Sequence, residues 1–69
     1  MENILFVTDS CHKCQQAIEH LNKRQIIFDV LNILDFEKVK KHKKYIQNQS
    51  LPILVVNGKV LTYLEILKL

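Results

Sequence analysis

The chain has 69 residues, 48% of them hydrophobic and 25% charged, with one glycine, one proline and a net charge of +3. That length allows one small domain spanning residues 1–69, and the composition excludes a disordered or low-complexity chain. No apolar stretch is long enough to cross a bilayer and the run at 4–7 is too short for a secretory signal, so a cytoplasmic protein is expected.

The uninterrupted apolar run Ile4-Leu5-Phe6-Val7 predicts a first strand over residues 3–8. Thr8-Asp9-Ser10 break it with residues that favour turns and helix caps. A first helix over 11–23 follows, with Cys14, Ala17, Ile18 and Leu21 at helical spacing and the basic pair Lys23-Arg24 at its end. The only two cysteines, in Cys11-His12-Lys13-Cys14, therefore fall where the strand gives way to this helix. Cys11 lies at the first turn, where unpaired backbone N–H groups and the helix dipole favour thiolate over thiol. Cys14 lies one turn on along the same face, within disulfide reach. A bridge closing so small a loop adds little stability, so the pair makes more sense as chemistry than as a brace.

Ile26-Ile27-Phe28 with Val30, Leu31 and Ile33 predict a second strand, apolar enough to be buried on both faces, with Asp29 as its one odd polar residue at an edge or outward position. Asp35 is placed to cap a second helix with Phe36, Val39, Tyr45 and Ile46 near one face. Ser50-Leu51-Pro52 stops it, since a proline drives the preceding residue into extended geometry. Ile53-Leu54-Val55-Val56 is a third strand, Asn57-Gly58 suits a two-residue type I′ turn, and Lys59-Val60-Leu61 returns. Thr62 and Glu65 have capping-box spacing ahead of a short final helix.

The order β-α-β-α-β-β-α predicts an α/β domain with a four-stranded mixed sheet and three helices. Strands joined through helices are expected to run parallel, with the Asn-Gly hairpin adding an antiparallel edge. Small copper-chaperone domains also carry a C-x-x-C after their first strand, but their order is β-α-β-β-α-β, which this chain does not follow.

In these features the whole chain resembles the glutaredoxins in their minimal form, within the thioredoxin-like superfamily. The resemblance rests on Cys11-His12-Lys13-Cys14 after strand one, on Leu51-Pro52 ahead of strand three and on the Asn57-Gly58-Lys59 turn. It implies a thioredoxin-like fold, a cis Pro52 beside the cysteines, and a dithiol thiol–disulfide oxidoreductase that reduces protein disulfides. Cys11 and Cys14 are then the catalytic pair, and His12, Lys13, Leu51 and Pro52 meet the substrate. The implied partner is a protein disulfide such as that of ribonucleotide reductase, acted on by a monomer without a bound cofactor, a membrane or nucleic acid. Two departures bear on the electron source. Glutathione-using members have Gly-Gly and an acidic residue after strand four, where this chain reads Leu61-Thr62-Tyr63-Leu64. Asp9 stands where the family often has a basic residue. Glutathione's carboxylates lose partners, so a reductase of the thioredoxin-reductase type is an equal expectation.

Two other readings compete. Cys11, Cys14 and His12 offer at most three ligands to a metal ion or iron–sulfur cluster, so a closed site needs a further residue or a second molecule. Five of the ten basic residues (Lys38, Lys40, Lys41, Lys43 and Lys44) crowd one short segment. That segment is read first as a solvated face, and otherwise as a surface for an acidic partner. His20 and His42 are read as surface residues.

Overall fold

A computed structural model of the chain describes residues 3–47 and 50–69. Strand β1 (Asn3–Val7) leads into helix α1 (His12–Lys23), and strand β2 (Asp29–Asn32) follows. A helical segment then runs as α2 (Phe36–Val39), a 3-10 turn (Lys40–His42) and α3 (Lys43–Ile46). Strands β3 (Ile53–Val56) and β4 (Lys59–Leu61) and helix α4 (Tyr63–Leu67) complete the fold. The sheet order is β2-β1-β3-β4. Among the described residues no helix is long and apolar enough to cross a membrane.

The apolar runs of β1 and β3 are explained by their central places. Leu5, Val7 and Leu54 pack into a core with Cys14, Ala17 and Leu21 of α1 and Ile66 of α4. The alternate residues Phe6, Ile53 and Val55 form a second core with Tyr45 and Ile46 of α3. A period of two thus feeds both faces of one sheet. The result is three layers: α1 and α4 on one face, the broken helical segment on the other.

Three expectations need correction. First, β3 does not run parallel to its neighbours; it pairs antiparallel with β1, in the register Phe6↔Ile53 to Asn3↔Val56. Among the described residues the one parallel pair is β1 with β2. Between β2 and β3 the described residues form three short helical pieces, and β3 begins at the end of the sheet where β2 stops. A helix fixes strand direction only when it carries the chain back along the sheet.

Second, β2 is not buried on both faces. It is an edge strand, with Asp29 and Val30 exposed and Leu31 and Asn32 half-buried. Ile26 and Phe28 belong to the linker before it and cover the α1 core, while Ile27 between them is 89% exposed. Asp29 takes the expected outward place at a sheet edge.

Third, the second helix is broken, and the Asp35 side chain makes no capping bond; its carboxylate instead lies 3.9 Å from Lys38 Nζ. No apolar residue occurs between Val39 and Tyr45, so the stripe that would anchor a continuous helix is missing for more than a turn. Lysines at i,i+3 and i,i+4 across the gap repel one another. His42 fills part of it, its ring centroid 5.6 Å from that of Phe6.

Helix ends carry two testable features. At the end of α1, Gln25 N–H donates to Asn22 O and Ile26 N–H to Leu21 O, the pattern that usually places glycine in the left-handed position. Gln25 occupies it with φ 59°. Gln25→Gly is therefore expected to stabilise the protein by about 0.5–1 kcal/mol, steric relief outweighing the added chain entropy. Thermal melting should show a raised Tm; a lowered one contradicts this reading of the cap.

At α4, Thr62 N–H and its hydroxyl both donate to Glu65 Oε1, at 3.0 and 3.1 Å. These bonds hold the exposed Glu65 carboxyl below the ordinary glutamate value, with smaller help from Lys59 and Lys68. A lowered folded value means stability that is present above the unfolded value and lost as pH falls through the folded one. Glu65→Gln should lower stability at neutral and alkaline pH and remove part of the loss of stability on acidification, so that the two proteins converge at low pH. A wild-type slope in the variant contradicts the cap.

The hairpin follows the expected turn chemistry. Asn57 and Gly58 both have positive φ, 52° and 79°, as a type I′ turn between β3 and β4 requires.

Candidate functional site

The site is built at the end of the sheet where β1 stops. The buried strand delivers the chain to Thr8, and Ser10 turns it with φ 54°, a conformation that few residues other than glycine adopt. Cys11 then sits at the N-cap of α1 in extended geometry, and Cys14 lies in the first turn. The two are joined as a disulfide with their Cα atoms 5.2 Å apart. Cys14 N–H donates to Cys11 Sγ at 3.1 Å, so one of the otherwise free N–H groups of the helix's first turn points at that sulfur. The sulfurs are not equivalent. Cys11 is half-buried, whereas Cys14 is 3% exposed and belongs to the core.

No acidic residue occupies the first turn of α1. Asp9, two residues before Cys11, has its carboxylate oxygen 2.7 Å from Asn32 Nδ2, and Asn32 Oδ1 in turn accepts from Leu34 N–H at 2.9 Å. Asn32 thereby ties the loop to the end of β2. Nothing in the sequence pattern singled Asn32 out, because its partner is remote in the chain.

Leu51 and Pro52 reach the same end of the sheet because β3 is antiparallel to β1. Ile53 pairs with Phe6, one residue short of the end of β1, so the two residues before it lie beside the loop that carries Cys11. A parallel β3 would have put them at the opposite end. The Leu51–Pro52 bond is cis, as the resemblance implies, and Pro52 is fully buried. Leu51 is half-buried against both cores.

The residues between the cysteines face a different neighbourhood. His12 is exposed, its Nε2 3.2 Å from Gln16 Nε2. Lys13 places its ammonium 5.6 Å from the ring centroid of Tyr63, whose hydroxyl donates to Gln16 Oε1. Gln16 and Tyr63 thus join α1 to α4 beside the cysteines. Tyr63 carried no motif signal; its aromatic ring on a short polar-faced helix was the available hint. Among the described residues no group of three or more histidine, cysteine or acidic side chains is placed to hold a metal ion.

The glutaredoxin family model matches residues 3–61. The chain belongs to the glutaredoxin family. Its fold is that of the thioredoxin-like proteins. The crystal structure of the thioredoxin-like protein BC3987 superposes with a TM-score of 0.74 at 16% identity, covering 88% of this chain and 85% of that one. A mutant of that protein superposes equally well, with 84% of its chain covered. Comparison with curated protein sequences gave no match. Both the C-x-x-C and the cis proline of this glutaredoxin-family domain lie within the matched span.

Proposed function

We propose that this glutaredoxin-family protein is a thiol–disulfide oxidoreductase that reduces protein disulfides. The observation that carries the reading is the asymmetry of the pair: a half-buried Cys11 on a helical amino end, bridged to a buried Cys14. In the reduced protein the unpaired N–H groups of α1, the helix dipole and the nearby Lys13 favour a thiolate at Cys11.

That thiolate attacks one sulfur of a substrate disulfide, forming a Cys11–substrate bond and expelling the other substrate sulfur as a thiolate. Cys14 loses its proton and attacks Cys11 Sγ, closing the Cys11–Cys14 disulfide and expelling the second substrate thiolate. Two electrons pass from the dithiol to the substrate. Access imposes the order, since only Cys11 can be reached from outside.

Leu51 and Pro52 supply the substrate contact. They lie just ahead of the first β1–β3 pair, where an incoming extended chain finds backbone groups beside the sulfurs. His12 and Lys13, which face Gln16 and Tyr63, are proposed to meet the substrate on the α4 side of the sulfurs. The proposed compartment is the cytoplasm, the proposed form a monomer without resident cofactor, and the proposed substrate a protein disulfide such as that of ribonucleotide reductase. A thioredoxin-reductase-type protein is the favoured electron source over glutathione. The start of α4 has no glycine, and the Thr62 N–H that could meet a carboxylate is already held by Glu65.

The test mixes reduced protein with an oxidised protein substrate and no other reductant. One substrate disulfide should be opened for each Cys11–Cys14 bridge formed. Opening without a matching bridge overturns the reading. Reoxidised protein should then be reduced faster by NADPH with thioredoxin reductase than by glutathione; the opposite ranking overturns the choice of electron source.

A further inference from the structure

A cavity of about 250 Å³ lies away from the sulfurs, between the end of β2 and the broken helical segment. Four of its lining residues are apolar (Ile33, Phe36, Val39 and Ile46) and two are Lys40 and Lys43. It is smaller than the roughly 300–1,000 Å³ pockets that enclose whole small ligands, and suits one large apolar side chain. Phe36 at its wall is 80% exposed, and the adjacent Leu34 is 62% exposed.

The charge around it is one-sided. Between residues 35 and 44 there are five lysines and two acids. Each acid is already engaged, Asp35 with Lys38 at 3.9 Å and Glu37 with Lys40 at 3.4 Å. Among the described residues, Lys41, Lys43 and Lys44 have no carboxylate within ion-pair distance. Lys40 and Lys43 stand at the cavity itself, and Lys38, Lys41 and Lys44 belong to the same short segment. A peptide with several acidic residues around one apolar side chain matches both the hole and the field.

The cavity also lies at the catalytic end of the sheet. Ile33 N–H donates to Val7 O at 2.8 Å, four residues before Cys11, and Asn32 next to it binds Asp9. We infer that this cavity is a second docking point for the disulfide substrate, taking an apolar side chain from an acidic segment that flanks the reacting cysteines. The inference rests on the disulfide-reducing reading above. Holding the substrate at two places raises the effective concentration of its disulfide at Cys11.

The first test measures binding alone, so that it does not depend on the redox chemistry. The disulfide form of the protein is titrated with a cysteine-free peptide of glutamates and aspartates around one central phenylalanine, followed by amide NMR shifts. Shifts should centre on residues 33–46, weaken with salt, and require the phenylalanine. The Lys40→Glu/Lys43→Glu double variant should bind about tenfold more weakly. Phe36→Ala, at an exposed position that leaves the fold intact, should weaken binding as well. Equal binding of a peptide with alanine in place of phenylalanine overturns the cavity's role. So do shifts confined to the Cys11 loop, or octanoate shifting these amides where the peptide does not.

The second test places the same acidic segment beside a disulfide in a substrate peptide. Its KM should fall relative to a neutral segment while kcat is unchanged, and the double lysine variant should erase the difference. Binding without a KM effect overturns the substrate assignment while leaving the Cys11–Cys14 chemistry standing. Failure of that chemistry would show instead as no reduction of either peptide.

Discussion

Cys14→Ser is expected to freeze the reaction half-way. The reduced variant should attack a substrate disulfide and then stop, leaving Cys11 covalently joined to the substrate, because serine cannot expel it. Mass spectrometry should find the linked species at Cys11 and nowhere else. Cys11→Ser should lower disulfide reduction by roughly a thousandfold or more, as loss of a nucleophile does. The remaining Cys14 cannot substitute, since it is 3% exposed and packed among Leu5, Ala17 and Leu21. Retained activity in Cys11→Ser, or a trapped substrate on Cys14, would contradict the assigned order. Neither change should unfold the protein, because a bridge between residues three apart restrains the unfolded chain little.

The largest loss of stability is expected from Phe6→Ala. Phe6 is 0% exposed at the centre of the sheet, packed with Ile53 and Val55 and beside the His42 ring. Truncating a buried phenylalanine to alanine costs about 3–5 kcal/mol through lost burial and the cavity left behind. A domain of 69 residues has only ~3–10 kcal/mol in total at typical per-residue stabilities. The variant should therefore be largely unfolded, or show a urea midpoint near zero. Ile27→Ala, at a position 89% exposed, should leave the midpoint within error despite removing an apolar side chain from an apolar run. Comparable losses in both would mean that β2 and its linker are buried after all.

The contrast between those residues shows where the pattern was readable. β1 and β3 are central, so their apolar runs mean burial on both faces. The similar run at 26–33 spans a linker and an edge strand, and composition alone does not separate the two cases. Local chemistry translated directly: Cys11 at the helix start, the Asn57-Gly58 turn and the Thr62–Glu65 cap each depend on residues within three positions of one another. Strand direction did not, because the orientation of β3 is set by how far the segment between Asn32 and Leu51 carries the chain. The sequence of that segment predicts one helix, and the lysine-filled gap between Val39 and Tyr45 breaks it. The site was legible as a pair of motifs, Cys11–Cys14 and Leu51-Pro52, but their meeting at one end of the sheet follows from the antiparallel pairing. Asn32, Gln16 and Tyr63 were not legible, since their linking contacts, Asn32 to Asp9 and Gln16 to Tyr63, join residues distant in sequence.

The chemistry requires Cys11 to be a reachable sulfur that ionises easily. The direct measurement is the rate of iodoacetamide alkylation of the reduced protein against pH, with the modified cysteine identified by mass spectrometry. Alkylation should fall on Cys11 and follow a titration with its midpoint below the about 8.5 of an unperturbed thiol. A midpoint at or above that value, or alkylation of Cys14 first, would contradict a nucleophile held at the amino end of α1.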